Sequence, residues 1–113
     1  SMKKAYNATE RLLARRNDFT ALFTVSDSMG IAAIKALHNA GVKVPDDCSV
    51  IAIDGIEVSK YTIPALTTLK QPRKPMGYET VRILVDVIKG KKNCQLRLKT
   101  ELREGETLAP PKR

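Results

Sequence analysis

Tryptophan is missing from this 113-residue chain, aromatic residues make up 4% of it, and histidine occurs once. Single-stranded nucleic acid is held by stacking bases on aromatic faces, so such a platform is poorly supplied. No run of eighteen apolar residues exists, and the opening SMKKAYNATERLLARR holds no continuous apolar signal segment. That pattern argues against a membrane span, and against secretion of the chain as it stands. Cysteine occurs twice, at Cys48 and Cys94, far apart and without metal or redox spacing. Two free thiols in the reducing cytoplasm are the expectation, with no metal and no cofactor. A nucleophile elbow, a Walker A loop and a Cys/His cluster are all missing, so the reading is not an enzyme.

What is present is enough for one small domain with a modest core. Its apolar content of 42% is that of a folded chain. The formal charge of +8 is unevenly spread. Residues 21–69 hold three lysines against five acids, whereas residues 70–103 hold ten Lys or Arg against three acids. No helix-turn-helix signature, zinc-finger spacing or RNA-binding strand pattern accompanies that basic third. A solvated face, or one covered by a partner, explains it better than contact with nucleic acid.

Along the chain, residues 3–16 read as a helix with Ala5, Ala8 and Leu12 on an apolar stripe. The stretch TALFTV, 20–25, reads as a short strand. Residues 29–40 return to helical spacing through Ile31, Ile34 and Leu37, with a cap expected at Ser26, Asp27 or Ser28 and Gly41 at the end. SVIAID, 49–54, is a second strand. Both strands are nearly continuous apolar runs, as in a parallel sheet covered by crossover helices. Ligands of such sheets sit outside the carboxyl ends of the strands, a rim that holds Ser26-Asp27 and Asp54-Gly55. A third strand, LTTLK, leads to a helix over about 75–89 with Val81, Leu84, Val85 and Ile88 on one seam. QLRLKTEL alternates like a half-exposed strand, and EGETLAPPKR reads as a loose tail. His38, on the second helix, stands two turns or more from the rim and suits a surface better than a general base.

Two stretches carry a family resemblance: DFTALFTVSDSMGIAAIKALHNAGVKVPDDCSVIAIDG and IPALTTLKQPRKPMGYETVRILVDVIKG. They resemble the C-terminal part of the effector-binding core of LacI/GalR-type bacterial transcriptional regulators. The implied fold is α/β, a partial periplasmic-binding-protein-like lobe with a mostly parallel sheet. Residues 3–69 would belong to the C-terminal lobe, 70–90 to the inter-lobe crossover and its helix, 91–104 to a returning strand and 105–113 to a flexible tail. In that family a small effector, such as a sugar or a nucleoside, binds between two lobes and alters operator affinity. DNA is read by a preceding helix-turn-helix domain, whose signature is not in this chain, and the regulators work as cytoplasmic dimers.

The resemblance also implies roles for particular residues. Asp54 stands where the family has a ligand-contacting acid, and an ionised carboxylate there accepts two hydrogen bonds from adjacent hydroxyls. The second acid usual after it is replaced by Gly55. Ser26 and Asp27 fall where the family has Asn-Asp; both are ligand candidates, with Asp27 also suited to capping the helix and holding the loop. Gln71 sits at the crossover, where some relatives reach the effector. Ile31, Tyr61 and Thr62 correspond to the dimer surface, with Leu37 expected inside. Three other readings compete: a sugar-binding module of the transport type, a ligand-free truncated homodimer, and a phosphoacceptor receiver domain. The last needs an acidic pair after an early strand and a lysine after a late one, which the chain does not supply.

Overall fold

The computed structural model describes residues 1–112, and these divide into two compact units. The first comprises Ser1–Lys70 and the described residues from Leu102 onward; the second is Gln71–Glu101.

The first unit opens with α1, Met2–Arg15, whose first turn is closed by the Ser1 hydroxyl accepting from the Lys4 amide. Ala5 and Thr9 are its buried positions, and the helix packs along α2, Asp27–Asn39. Strand β1, Ala21–Phe23, pairs in parallel with β2, Ser49–Asp54, which pairs in parallel with β3, Thr67–Lys70. With β4, Glu101–Arg103, the sheet order is β1-β2-β3-β4. Strand, helix and parallel strand, β1-α2-β2, form the expected crossover unit.

Alternation along the strands decides where the core lies. Val50 and Ala52 of β2 point to the face that α2 covers and are fully enclosed with Ile34, Leu37, Cys48 and Leu66. Leu13, Phe19, Leu22 and Ile31 close its margins. Phe23, Ile51 and Ile53 alternate to the opposite face, where Phe23 is exposed and the other two are half-buried. Leu37 is inside, as its helical position predicts.

The chain signals at the end of α2 work as read. After Ala40, Gly41 turns to φ 78°, the Gly41 amide donates to the His38 carbonyl at 3.0 Å and the Val42 amide to the Leu37 carbonyl at 2.9 Å. Those two bonds satisfy carbonyls that the last turn would leave orphaned, and they fold Val42 back against the core.

Residues 105–109 are not the loose tail that EGETLAPPKR suggests. The Val50 amide donates to the Thr107 carbonyl at 2.8 Å, the Thr107 hydroxyl donates to the Val50 carbonyl at 2.6 Å, and the Ala109 amide meets Ser49 Oγ at 3.0 Å. Thr107 is completely buried. Small polar residues look solvated in a sequence, yet here they supply partners for strand groups that need them.

The second unit is built on α3, Arg73–Ile88, ending at Gly90 with φ 82°. The strand expected over QLRLKTEL is reduced to β4; residues 95–100 carry no strand. Alternation sets which way side chains face, but a strand also needs a neighbour for its backbone, and no described strand pairs with 95–100.

Candidate functional site

The carboxyl ends of β1 and β2 form the rim. Asp54 closes β2, opposite Lys70 at the end of β3. Its backbone is at φ 145°, a region that non-glycine residues seldom occupy. Residues in such conformations cost of order 1–3 kcal/mol and persist where the surroundings over-determine them, commonly at ligand sites. Gly55 follows at φ 74°, and a Cβ built there would lie 2.7 Å from Lys70 Cβ. The position that the family usually gives to a second acid therefore admits no side chain in this chain.

Ser26 caps α2. In extended backbone, its Oγ accepts from the Met29 amide at 3.2 Å, satisfying one of the orphan donors of the first turn.

Asp27, expected at the ligand surface or as the cap, has no exposed surface. Its Oδ2 accepts from the Ile56 amide at 2.9 Å and lies 2.8 Å from Ser59 Oγ; its Oδ1 accepts from the Thr68 hydroxyl at 2.5 Å. Arg103 of β4 stands 4.0 Å away as counter-charge. It donates to Ser59 Oγ, and to the Ile56 carbonyl at 3.2 Å. A buried carboxylate is tolerated when paired and hydrogen-bonded in this way. Of the three cap candidates Ser26 is the one that caps, while Asp27 lies inside and holds the loop at Ile56 and Ser59.

Sequence reasoning missed Ser59, Thr68 and Arg103. One signal was available: two consecutive threonines, Thr67 and Thr68, stand between Leu66 and Leu69 in the third strand, and a buried hydroxyl needs a partner. Arg103 gave none, because nothing local ties it to residues 44 and 47 positions earlier.

Gln71 is the first residue of the second unit, where its carbonyl accepts from the Arg73 amide at 2.9 Å. The remaining candidates belong to the first unit. Tyr61 is 76% exposed at the end of the 3-10 turn Glu57–Lys60, and Ile63 beyond it is 97% exposed. Ile31, Ile34, Lys35, His38, Thr62 and Ile63 line one shallow depression. The Thr62 hydroxyl is 3.1 Å from the Ser59 carbonyl and 2.9 Å from the Pro64 carbonyl, so it shapes its own loop. Cys48 and Cys94 are both free thiols. Among the described residues no group of acids, histidines or cysteines is placed to hold a metal, and no helix is long and apolar enough to cross a membrane.

A parallel sheet with one face covered by a helix and polar groups gathered at its strand ends is the arrangement in which α/β domains hold small ligands. Residues 2–108 match the periplasmic binding protein-like domain. Among curated relatives, the chain is 41% identical over 104 residues to the HTH-type transcriptional regulator MalR of Clostridium butyricum, covering 91% of this chain and 31% of that protein. It is 41% identical over 87 residues to the HTH-type transcriptional repressor PurR of Aliivibrio salmonicida, covering 77% of this chain and 26% of the repressor. Among solved structures, the Lac repressor dimer bound to operator and the anti-inducer ONPF superposes with a TM-score of 0.88 at 28% identity, over 97% of this chain and 39% of that one. The CelR–cellobiose complex superposes with a TM-score of 0.83 at 36% identity, over 95% and 33%. The chain belongs to the periplasmic-binding-protein-like family, on the branch of the LacI-type transcriptional regulators. It spans between about a quarter and a third of the length of the curated relatives named here. Those relatives regulate transcription and are not enzymes.

Proposed function

We propose that this chain is the C-terminal-lobe part of the effector sensor of a cytoplasmic LacI-type regulator, taking a sugar or nucleoside-like molecule at the rim of Asp54 and Ser26. Asp54 carries the reading: an acid held at φ 145° where a central parallel strand ends. Its carboxylate accepts from neighbouring ligand hydroxyls, and Ser26 donates from the cap. Asp27 supports the rim from beneath. Ile31, Tyr61 and Thr62 form a homodimer surface, for which the exposed Tyr61 and Ile63 supply the apolar contact. Effector occupancy shifts the balance between lobe arrangements, and DNA is reached through a helix-turn-helix domain elsewhere in the regulator.

Thermal melts of the chain against a panel of sugars, nucleosides and purines test this reading. One compound is expected to raise the midpoint, by linkage about 2.7 kcal/mol of stabilisation at a hundred times its Kd, and Asp54→Ala is expected to abolish the shift. Sedimentation of the same samples is expected to show a dimer that Tyr61→Asp dissociates. A panel without any shift, or a shift retained in Asp54→Ala, counts against the rim; a strictly monomeric mass at high micromolar concentration counts against the dimer surface.

A further inference from the structure

Both residues that follow Asp54 lead by hydrogen bonds to one buried carboxylate. The Ile56 amide donates directly to Asp27 Oδ2 at 2.9 Å. The Gly55 amide donates to Thr68 Oγ1 at 3.2 Å, and that hydroxyl passes its own proton to Asp27 Oδ1 at 2.5 Å. The 3-10 turn Glu57–Lys60 is tied to the same group through Ser59 Oγ, 2.8 Å from Oδ2. Tyr61 and Thr62 continue from that turn.

We propose that Asp27 is the positioning residue of the rim, fixing the Asp54 corner and the turn that presents Tyr61 as one body. The chemistry requires an acid. Three donors converge on the group: one amide and two hydroxyls, with Arg103 as the counter-charge behind them. A carboxylate accepts at both oxygens, whereas an asparagine of the same shape accepts at one and turns an NH2 toward the other donors. An unusual backbone at Asp54 and a left-handed one at Gly55 hold only while their surroundings dictate them, and Asp27 is the point from which both following amides are held. The consequence for effector binding rests on the function proposed above; the positioning itself does not.

Amide hydrogen exchange of the full chain, followed by NMR, tests it in Asp27→Asn. The amides of Gly55 and Ile56 are expected to exchange at least about tenfold faster than in the parent, with Tyr61 following, while the Val50 amide on Thr107 keeps its protection. Unchanged protection at Ile56 overturns the proposal. So does an equal loss at Ile56 and Val50, the mark of a general loss of stability. If Asp27→Asn does not fold, Thr68→Val decides, because it cuts the Gly55 path alone: Gly55 is expected to lose protection with Val50 unchanged, and a Gly55 amide as slow as in the parent overturns the proposal. If no compound shifts the melt, the effector reading fails while the exchange result stands. If an effector binds and exchange in a folded Asp27→Asn is unchanged, the positioning role alone fails.

Discussion

Helices α2 and α3 close in the same way and differ in what they cover. Each ends at a glycine in the left-handed region, Gly41 or Gly90, and in each the residue after the glycine donates back across the last turn, Val42 to Leu37 and Lys91 to Asp86. Helix α2 then buries Ala33, Ile34, Ala36 and Leu37, with Ile34 and Leu37 in one cluster with Val50 and Ala52 of β2. Helix α3 buries no residue, and Leu84, in the middle of its apolar seam, is 56% exposed. Local signals are thus enough to start and stop a helix. Packing is a separate matter, and it is packing that supplies most helical stability in a protein. In α3 the visible support is electrostatic and local: Arg82 meets Glu79 at 2.6 Å and Asp86 at 3.6 Å.

The sharpest way to break that contrast is to truncate one apolar side chain in each helix. Leu37→Ala removes a fully enclosed side chain from the core and is expected to lower stability by about 2–5 kcal/mol, from the lost transfer free energy plus the cavity. Leu84→Gln in the α3 seam is expected to stay within about 0.5 kcal/mol of the parent, as substitutions of exposed side chains do. Urea melts of both variants measure this. A loss in Leu84→Gln comparable with that in Leu37→Ala would mean that the α3 seam is covered in solution.

A smaller effect separates the two arginines that serve these regions. Arg103→Met leaves the Asp27 carboxylate buried without its counter-charge, which is expected to cost about 3 kcal/mol. Arg82→Met removes a half-exposed partner from α3, where solvent already screens the pairs, and no measurable change in midpoint is expected. The same denaturation series decides it. Equal effects would show that the Asp27 network is no more sequestered than a surface pair.

Much of the first unit was legible because its signals are short-range. The hydrophobic period located α2, the apolar run SVIAID gave β2 at its observed bounds, and Gly41 marked the turn. The rim followed from topology, since a parallel crossover brings the ends of β1 and β2 to one side. The interior of the rim was not legible. A buried acid and a capping acid read alike in sequence, and what distinguishes Asp27 is the arrival of Thr68 and Arg103 from far along the chain. The tail misled for a related reason: Thr107 has the composition of a loop and the position of a strand partner. The seam of α3 was visible as a pattern, but periodicity states which face is apolar and nothing about what covers it.

The two cysteines carry the comparison to its finest level, one in each unit. Cys48 is enclosed beside β2, and burial pushes its thiol above the ordinary value, with the nearby charge of Asp47 acting in the same direction. Cys94, beyond α3, is half-buried. A disulfide-exchange reagent at neutral pH is therefore expected to modify Cys94 in the folded chain and to reach Cys48 only on unfolding, because the thiolate is the reactive form. The same shift has a sign in stability. Above the unfolded thiol value, about 8.5, the unfolded chain releases a proton that folded Cys48 retains, so stability falls as pH rises through that range. Below it the two states bind the same number of protons at this site and the effect vanishes. Cys48→Ala is expected to flatten that alkaline slope. Equal labelling of both thiols in the folded chain would mean that the region around β2 opens as freely as the segment beyond α3.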